Sequence, residues 1–190
     1  PTVSSTSSSA PRPEPRRARL SLRETALYAM FGVLMFSSKL LMEALPNIHL
    51  LGMFTVLLTV VYRSRALYPI YTYVLLNGAY AGFSPWWLPY LYIWTVLWGV
   101  VMLLPKNMPR KAAAVVYPLV CALHGLAFGT LYAPLQALMY GYDWRGMLTW
   151  ISLGFPMDVL HAVGNLAAGL LILPLSDLLR KLNVRFRIGA

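Results

Sequence analysis

Apolar residues fill six long stretches of this chain, and polar residues collect in the short segments that connect them. The stretches cover approximately residues 22–44, 48–62, 66–83, 86–104, 112–132 and 154–179. Most of them approach the length of about 20 helical residues that crosses the hydrocarbon core of a bilayer. Because a helix satisfies its own backbone hydrogen bonds in lipid, the pattern predicts an all-α membrane protein with six transmembrane helices.

Positive charge is distributed unevenly over the connecting segments. If the N-terminus lies inside, 14 of the 16 lysine and arginine residues fall on the inner side, and only Lys39 and Arg145 fall outside. Basic loops remain in the cytoplasm when a membrane protein inserts. We therefore expect both termini to be cytoplasmic.

The composition agrees with a membrane protein and changes the interpretation of the net charge. Hydrophobic residues make up 58% of the chain and charged residues only 12%, against about 25% charged residues in soluble domains. A net charge of +10 would ordinarily indicate a nucleic-acid partner, but here the charge lies in short inner loops and tails. We expect contact with the lipid bilayer and no nucleic-acid partner.

The chain divides into three predicted regions. Residues 1–20 are rich in serine, proline and arginine, and we expect a disordered basic tail that need not be native throughout. The six-helix domain is predicted to cover residues 21–183, and residues 184–190 form a basic cytoplasmic tail. Residues 134–151 are expected to make the longest outer connection, and Pro174 to kink the sixth helix near its inner end.

Polar residues inside the apolar stretches lie mainly in their outer halves. Polar side chains at membrane depth are costly unless paired or hydrated, so each one is a candidate for function. Asp158, His161 and Asn165 share one helix face, since they are offset by three and seven residues. The predicted binding residues of an outward-facing cup are Asn77, Tyr90, Trp94, His124, Asp158, His161 and Asn165, with His49, Trp86 and Trp87 as lid residues.

Each candidate also has a simpler structural explanation. Tryptophans at helix ends commonly form an interfacial belt, which applies to Trp86 and Trp87. Asp158 and His161 would satisfy each other as a structural pair. A metal site formed by His124, His161 and Asp158 is conceivable, although their spacing matches no metal motif.

The sequence contains no P-loop, no HExxH and no GxSxG motif. We therefore expect no enzymatic activity in this chain, no catalytic residue, no cofactor and no resident metal. If the protein transports a solute against a gradient, the energy must come from another subunit or a coupled ion.

Two short stretches resemble segments of a known membrane-protein family. Residues 26–33 (ALYAMFGV) carry the small residues Ala26, Ala29 and Gly32, and residues 45–49 (LPNIH) follow the first helix. Together with six short helices and cytoplasmic ends, these stretches resemble the substrate-binding S component of energy-coupling factor (ECF) transporters. The family's docking surface on its first helix usually has the pattern AxxxA, which differs from the spacing here.

The resemblance implies a multi-pass protein of a bacterial or archaeal cell membrane that captures a vitamin or related micronutrient from outside. It also implies a transmembrane coupling subunit and two ATPase subunits as partners, with Ala26, Ala29 and Gly32 at the docking surface. Two other hypotheses stay open. One is a small intramembrane enzyme that uses Asp158 and His161 as an acid–base pair, and the other is a membrane sensor or assembly subunit without transport activity.

Overall fold

The computed structural model describes residues 20–45, 48–186 and 188. Within these residues the chain is helical and has no β-strand, which confirms the predicted all-α class. The α-helices of this part are α1 (Leu22–Leu41), α2 (Leu51–Tyr62), α3 (Leu67–Ala81), α4 (Tyr90–Leu103), α5 (Arg110–Leu126), α6 (Phe128–Tyr140), α7 (Trp144–Gly169) and α8 (Ile172–Phe186). Short 3-10 turns at Arg63–Ala66 and Pro85–Trp87 precede α3 and α4.

The structure describes different amounts of the two predicted tails. Of the predicted tail 1–20, only Leu20 belongs to the described residues. At the other end α8 continues to Phe186, so residues 184–186 of the predicted tail 184–190 are helical.

Two helices of the described chain are long and apolar enough to cross a membrane. One is Pro85–Leu103, which contains α4, and the other is Arg110–Tyr140, which joins α5 and α6 across a break at Ala127. The pair of α7 and α8 is a third candidate, bent by 45° between the two helices. Helices able to span a bilayer are therefore present, but by length and composition the described chain has two or three of them rather than six.

The remaining helices are too short or too charged at their ends to meet that criterion. α2 and α3 have 12 and 15 residues, about 18 and 23 Å of helix, against a bilayer core of about 30 Å. α1 has 20 residues but carries Arg23 and Glu24 in its first turn and Lys39 in its last turn.

α2 lies at the centre of the bundle. Ten of its 12 residues are buried, and it packs against α1, α4, α5, α7 and α8. A helix that is apolar on all sides is typically buried by other elements on all sides. α2 is therefore the core around which the longer helices are arranged.

Apolar side chains also cover the outside of the bundle. Leu103 on α4, Leu138 on α6 and Leu153 on α7 are 87%, 79% and 79% exposed. Large continuous apolar surfaces are rare on water-soluble monomers and mark contact with lipid or with another protein. The exterior is consistent with an apolar solvent.

The predicted long outer connection 134–151 is mostly helical, which corrects its boundaries. α6 continues to Tyr140, and α7 begins only four residues later at Trp144. The turn is made by Gly141 in the left-handed conformation (φ 70°) and by Asp143, whose Oδ1 accepts a hydrogen bond of 2.7 Å from the Gly146 N–H. These are ordinary helix-ending and helix-starting signals.

The predicted kink near the inner end of the last stretch is present as the bend between α7 and α8. The bend falls at residues 170–171, just before Pro174. Proline has no N–H to donate to the carbonyl four residues earlier, and its ring crowds that carbonyl. The apolar stretch is therefore divided into one long helix and one shorter helix.

Candidate functional site

Three histidines that are far apart in the sequence meet around two aromatic rings. The His49 and His161 rings have centroids 4.6 Å apart, and the His161 and Phe128 rings are separated by 4.9 Å. Trp94 lies 5.6 Å from His124 and 5.9 Å from Phe128. We refer to His49, Trp94, His124, Phe128 and His161 as the ring cluster.

Five separate elements supply these rings. His49 lies in the segment before α2, Trp94 in the second turn of α4, and His161 in the middle of α7. His124 lies in the last turn of α5 and Phe128 begins α6, on either side of the break at Ala127. Their offset of four residues places both rings on one side of the nearly continuous helix. The ring cluster therefore forms only when the bundle is assembled.

The ring cluster contains an unusual number of polar atoms without a partner. The Nδ1 of His49, the Nε1 of Trp94, the Nδ1 of His124 and the Nε2 of His161 are buried and make no hydrogen bond within the described residues. More than about 90% of buried polar groups in proteins have a partner. A group left unpaired costs about 1–3 kcal/mol, so four of them around one point favour a site built for a polar ligand.

One histidine nitrogen has a defined structural role. The His124 ring is joined to the Ile93 carbonyl oxygen through Nε2 at 3.1 Å. This contact fixes the ring against α4 and leaves Nδ1 directed elsewhere. His124 is thus positioned by one nitrogen and available through the other.

The predicted polar face of α7 is present and buried. Asp158, His161 and Asn165 are 5%, 2% and 1% exposed. Asp158 Oδ1 accepts a hydrogen bond of 3.0 Å from the Gly129 N–H in the first turn of α6. Asn165 Nδ2 donates to the Cys121 carbonyl oxygen at 3.2 Å.

Asp158 and His161 do not pair with each other. Within the described residues no hydrogen bond or ion pair joins them, and Asp158 Oδ2 and His161 Nε2 both lack a partner. Asp158 is oriented toward the start of α6, whereas the His161 ring contacts His49 and Phe128. The hypothesis of a mutually satisfied structural pair is therefore wrong.

Glycines allow α7 to approach α5 and α6 closely. A Cβ on Gly125 would lie 2.8 Å from Asn165 Nδ2, and one on Gly129 would collide with the Asp158 carboxylate. A Cβ on Gly52 of α2 would lie 3.0 Å from both the Asn165 amide and the Cys121 sulfur. The GxxxG pair of Gly125 and Gly129 is thus an internal packing surface that seats the polar face of α7.

No group of three His, Cys, Asp or Glu side chains that could hold a metal ion occurs among the described residues. The conceivable metal site of His124, His161 and Asp158 is accordingly not formed there. The three side chains contribute to the same region of the molecule but face different neighbours.

The aromatic residues at the start of α4 extend the ring cluster in one direction. Tyr90 lies 6.2 Å from Trp94 and 6.4 Å from Phe128, and Trp86 lies 5.7 Å from Tyr90. The Tyr132 hydroxyl donates to the Trp86 carbonyl oxygen at 2.5 Å. The turn that carries Trp86 is thereby attached to α6.

Trp87 has a different position from the one predicted. Its Nε1 donates to the Val74 carbonyl oxygen at 2.8 Å, and its ring lies 5.0 Å from Phe83. It anchors the turn to α3 and makes no ring contact with the ring cluster in the described chain. Asn77 on α3 is also buried, with Oδ1 unpaired, but nothing in the described residues joins it to the cluster by a hydrogen bond.

Two residues of the ring cluster, His49 and Phe128, were not predicted to lie at the centre of the site. His49 was expected at a lid, but it contacts His161 directly. Phe128 was not among the candidates, although it touches Trp94, His124 and His161. Phe128 is four residues after His124, and this spacing could have placed the two side chains on one helix face. Phe128 was missed because the candidates were chosen mainly for their polar atoms.

The three residues at the expected docking surface do not share one exposed face. Ala26 and Ala29 are exposed on α1, beside an open apolar groove that includes Ala29, Met30 and Val33. Gly32 is buried against α3, where a Cβ would lie 2.5 Å from the Thr72 side chain. Gly32 therefore serves the packing of α1 on α3.

Comparison of the chain with protein-family models, with curated proteins and with solved structures found no significant match.

Proposed function

We propose that this chain is the membrane-embedded substrate-binding subunit, or S component, of an ECF-type ABC importer. It captures a vitamin or related micronutrient from outside and delivers it together with a transmembrane coupling subunit and two ATPase subunits. The ring cluster is the observation that supports this proposal most, because it combines aromatic surfaces with buried, unpaired polar atoms at one point.

The chemistry of the cluster favours a flat heterocyclic ligand. Trp94 and Phe128 offer ring faces for stacking, which contributes about 0.5–1.5 kcal/mol per aromatic pair beyond area burial. The free nitrogens of His49, His124 and His161 provide hydrogen bonds to polar ring atoms. A few fixed polar groups in an aromatic wall are typical of small-molecule sites.

The proposed topology has six transmembrane segments with both termini in the cytoplasm. In that orientation His49 lies in the first outer connection, and the ring cluster lies in the outer half of the bundle. The apolar exterior and the basic inner loops support this arrangement.

The inner end of the bundle is joined by side-chain hydrogen bonds. The Tyr62 hydroxyl donates to Asn183 Oδ1 at 3.0 Å, which links α2 to α8. Trp98 Nε1 donates to the Arg63 carbonyl oxygen at 3.1 Å, and Arg63 Nη2 donates to the Met102 carbonyl oxygen at 2.8 Å. An inner end held together by these hydrogen bonds suits a subunit that binds ligand from outside and relies on partners for delivery.

An enzyme that uses Asp158 and His161 as an acid–base pair is less well supported. The two side chains share no hydrogen bond in the described chain, and Asp158 is already engaged by the Gly129 N–H. A sensor or assembly subunit would need no unpaired polar atoms at its centre.

Native mass spectrometry of freshly purified protein tests the proposal. We expect either a copurifying small molecule or a rise in the melting temperature of the detergent-solubilised protein when one vitamin from a broad panel is added. Affinity purification from the native host should also recover a coupling subunit and ATPase subunits. A protein that retains no small molecule, responds to no vitamin and recovers no ATPase would overturn the proposal.

A further inference from the structure

A polar pocket lies at the opposite end of the bundle from the ring cluster. It is formed where the loop before α5 meets the start of α8, and its volume is about 170 Å³. The polar residues lining this inner pocket are Lys106, Asn107, Arg110, Ser176, Asp177 and Arg180. None of them belongs to the proposed ligand site.

The inner pocket carries an excess of positive charge. Lys106, Arg110 and Arg180 face a single carboxylate, that of Asp177. Asp177 Oδ2 accepts from Arg110 Nη1 at 2.5 Å, while Lys106 and Arg180 make no ion pair within the described residues. The charge of Arg180 also acts on the Asp177 carboxylate. One carboxylate thus faces three lining cations, and the pocket keeps an excess of positive charge.

The surroundings of the inner pocket connect it to the apolar exterior. Leu103 is 87% exposed and lies three residues before Lys106, and Leu178 is 49% exposed between Asp177 and Arg180 in the sequence. An anion with attached acyl chains would place its charge in the pocket and its chains on this apolar surface. A freely soluble anion would use only the pocket.

We propose that the inner pocket binds the phosphate group of an anionic phospholipid of the cytoplasmic leaflet. Lys106 and Arg180 supply the excess charge, and Arg110 shares its guanidinium between the lipid phosphate and Asp177. Basic pockets between membrane helices on the cytoplasmic side are suited to such headgroups. The bound phosphate bridges α5 and α8 and so stabilises the end of the bundle near the α7–α8 bend. The cytoplasmic location depends on the proposed topology, but the pocket itself does not depend on the proposed ligand.

Lipid titration of delipidated protein, followed by native mass spectrometry and thermal unfolding, tests this site. The probes are short-chain phosphatidylglycerol, short-chain phosphatidylcholine and inorganic phosphate. We expect tight binding and a raised melting temperature with phosphatidylglycerol only. An equal effect of inorganic phosphate would show a soluble-anion site and would overturn the lipid assignment, as would equal binding of phosphatidylcholine.

A matched pair of double variants separates the pocket from general surface charge. Lys106→Gln with Arg180→Gln removes two pocket cations, whereas Lys111→Gln with Lys181→Gln removes two neighbouring cations that do not line the pocket. Each cation near an anionic lipid surface contributes about 1 kcal/mol, or about fivefold in affinity, without any defined pocket. We expect the first pair to weaken phosphatidylglycerol binding clearly more than the second, because Lys106 and Arg180 line the pocket and would contact the phosphate directly. Equal losses in both pairs would contradict a defined pocket.

A third variant tests the pocket independently, in case the double variant Lys106→Gln with Arg180→Gln does not fold. Asp177→Asn removes the competing carboxylate and leaves all three cations in place. The Arg110–Asp177 pair is exposed, and exposed pairs contribute little to stability. We expect Asp177→Asn to fold and to bind phosphatidylglycerol more tightly than the unmodified protein; weaker or unchanged binding would count against the site.

Discussion

His161 shows most clearly how one residue distinguishes the competing functions. It is 2% exposed, its Nε2 is unpaired, and its ring contacts both His49 and Phe128. In a purely structural core such a nitrogen would be paired, because an unpaired buried group destabilises the fold. Its state therefore favours a role in binding over a role in packing alone.

Replacing His161 with alanine should remove ligand binding and leave the fold largely intact. We expect at least a tenfold fall in affinity for the copurified molecule, because a hydrogen bond and a ring contact are lost together. The cost in stability should stay near the low end of the 2–5 kcal/mol seen for large-to-small core changes, since an unpaired polar atom is also removed. Ligand occupancy by native mass spectrometry and the melting temperature give both readouts.

Thr59→Ala provides the control for that experiment. Thr59 is fully buried on α2, and its hydroxyl donates to the Thr55 carbonyl oxygen at 2.6 Å within the same helix. It should lower stability without changing ligand occupancy. If His161→Ala lowers stability as Thr59→Ala does and leaves occupancy unchanged, the residue is structural; loss of turnover at unchanged occupancy would instead support an enzyme.

Part of the site was accessible from residue spacing alone. The offsets among Asp158, His161 and Asn165 define one helix face whatever the rest of the fold does, and the structure places all three on the buried side. The partners of these residues were not accessible, because Gly129 and Cys121 come from helices whose relative rotation depends on packing.

At the scale of helices, prolines gave the most misleading signal. Pro134 marked the expected start of the connection 134–151, but it lies inside α6, and Pro156 likewise lies inside α7. Membrane helices tolerate interior proline because neighbouring groups satisfy the freed carbonyl. Gly141 and Asp143 mark the true boundary, and both are standard helix-end residues.

The contact of α5 and α6 with α7 is predicted to tolerate no side chain at Gly129. Gly129→Ala would press a methyl group into the Asp158 carboxylate, and overpacking of this kind costs about 1–3 kcal/mol. We expect a lower melting temperature and weaker ligand binding together, because the polar face of α7 shifts. Thermal unfolding with and without ligand measures both effects.

Gly154→Ala is the matched control on α7 itself. Nothing lies within 4 Å of a Cβ at that position, and alanine in a helix interior is favoured over glycine by about 0.5–1 kcal/mol. This variant should be slightly more stable and should bind ligand normally. Equal behaviour of the two glycine variants would contradict the close helix contact.

The hydrogen bond between α2 and α8 should contribute to the stability of the fold and not to the affinity for the ligand. Tyr62→Phe removes the hydroxyl that donates to Asn183 at 3.0 Å, and an intramolecular hydrogen bond contributes about 0.5–1.5 kcal/mol. We expect a small fall in melting temperature at unchanged ligand affinity. A marked fall in affinity would show that the inner end takes part in binding, contrary to its proposed structural role.

At the scale of the whole molecule, length and charge give different counts of membrane segments. Only two or three helices of the described chain meet a length and hydropathy criterion, because α2 is short and central and α1 is charged at its ends. The distribution of lysine and arginine does not depend on helix length. It favours six segments, because that number places 14 of the 16 basic residues on one side of the membrane. The arrangement of helices around α2 could not be predicted from either pattern, since both describe one segment at a time.

Thiol labelling in intact cells decides between these counts. In a Cys121→Ala background, which removes the one cysteine of the sequence, single cysteines are introduced by Arg145→Cys and by Ser64→Cys. The six-segment topology predicts that a membrane-impermeant maleimide labels position 145 from outside and labels position 64 only after permeabilisation. If only Pro85–Leu103, Arg110–Tyr140 and the α7–α8 pair cross the membrane, positions 64 and 145 lie on the same side. Both positions are exposed in the structure, so a lack of labelling reports sidedness rather than burial. Labelling of both positions from the same side would refute the six-segment topology.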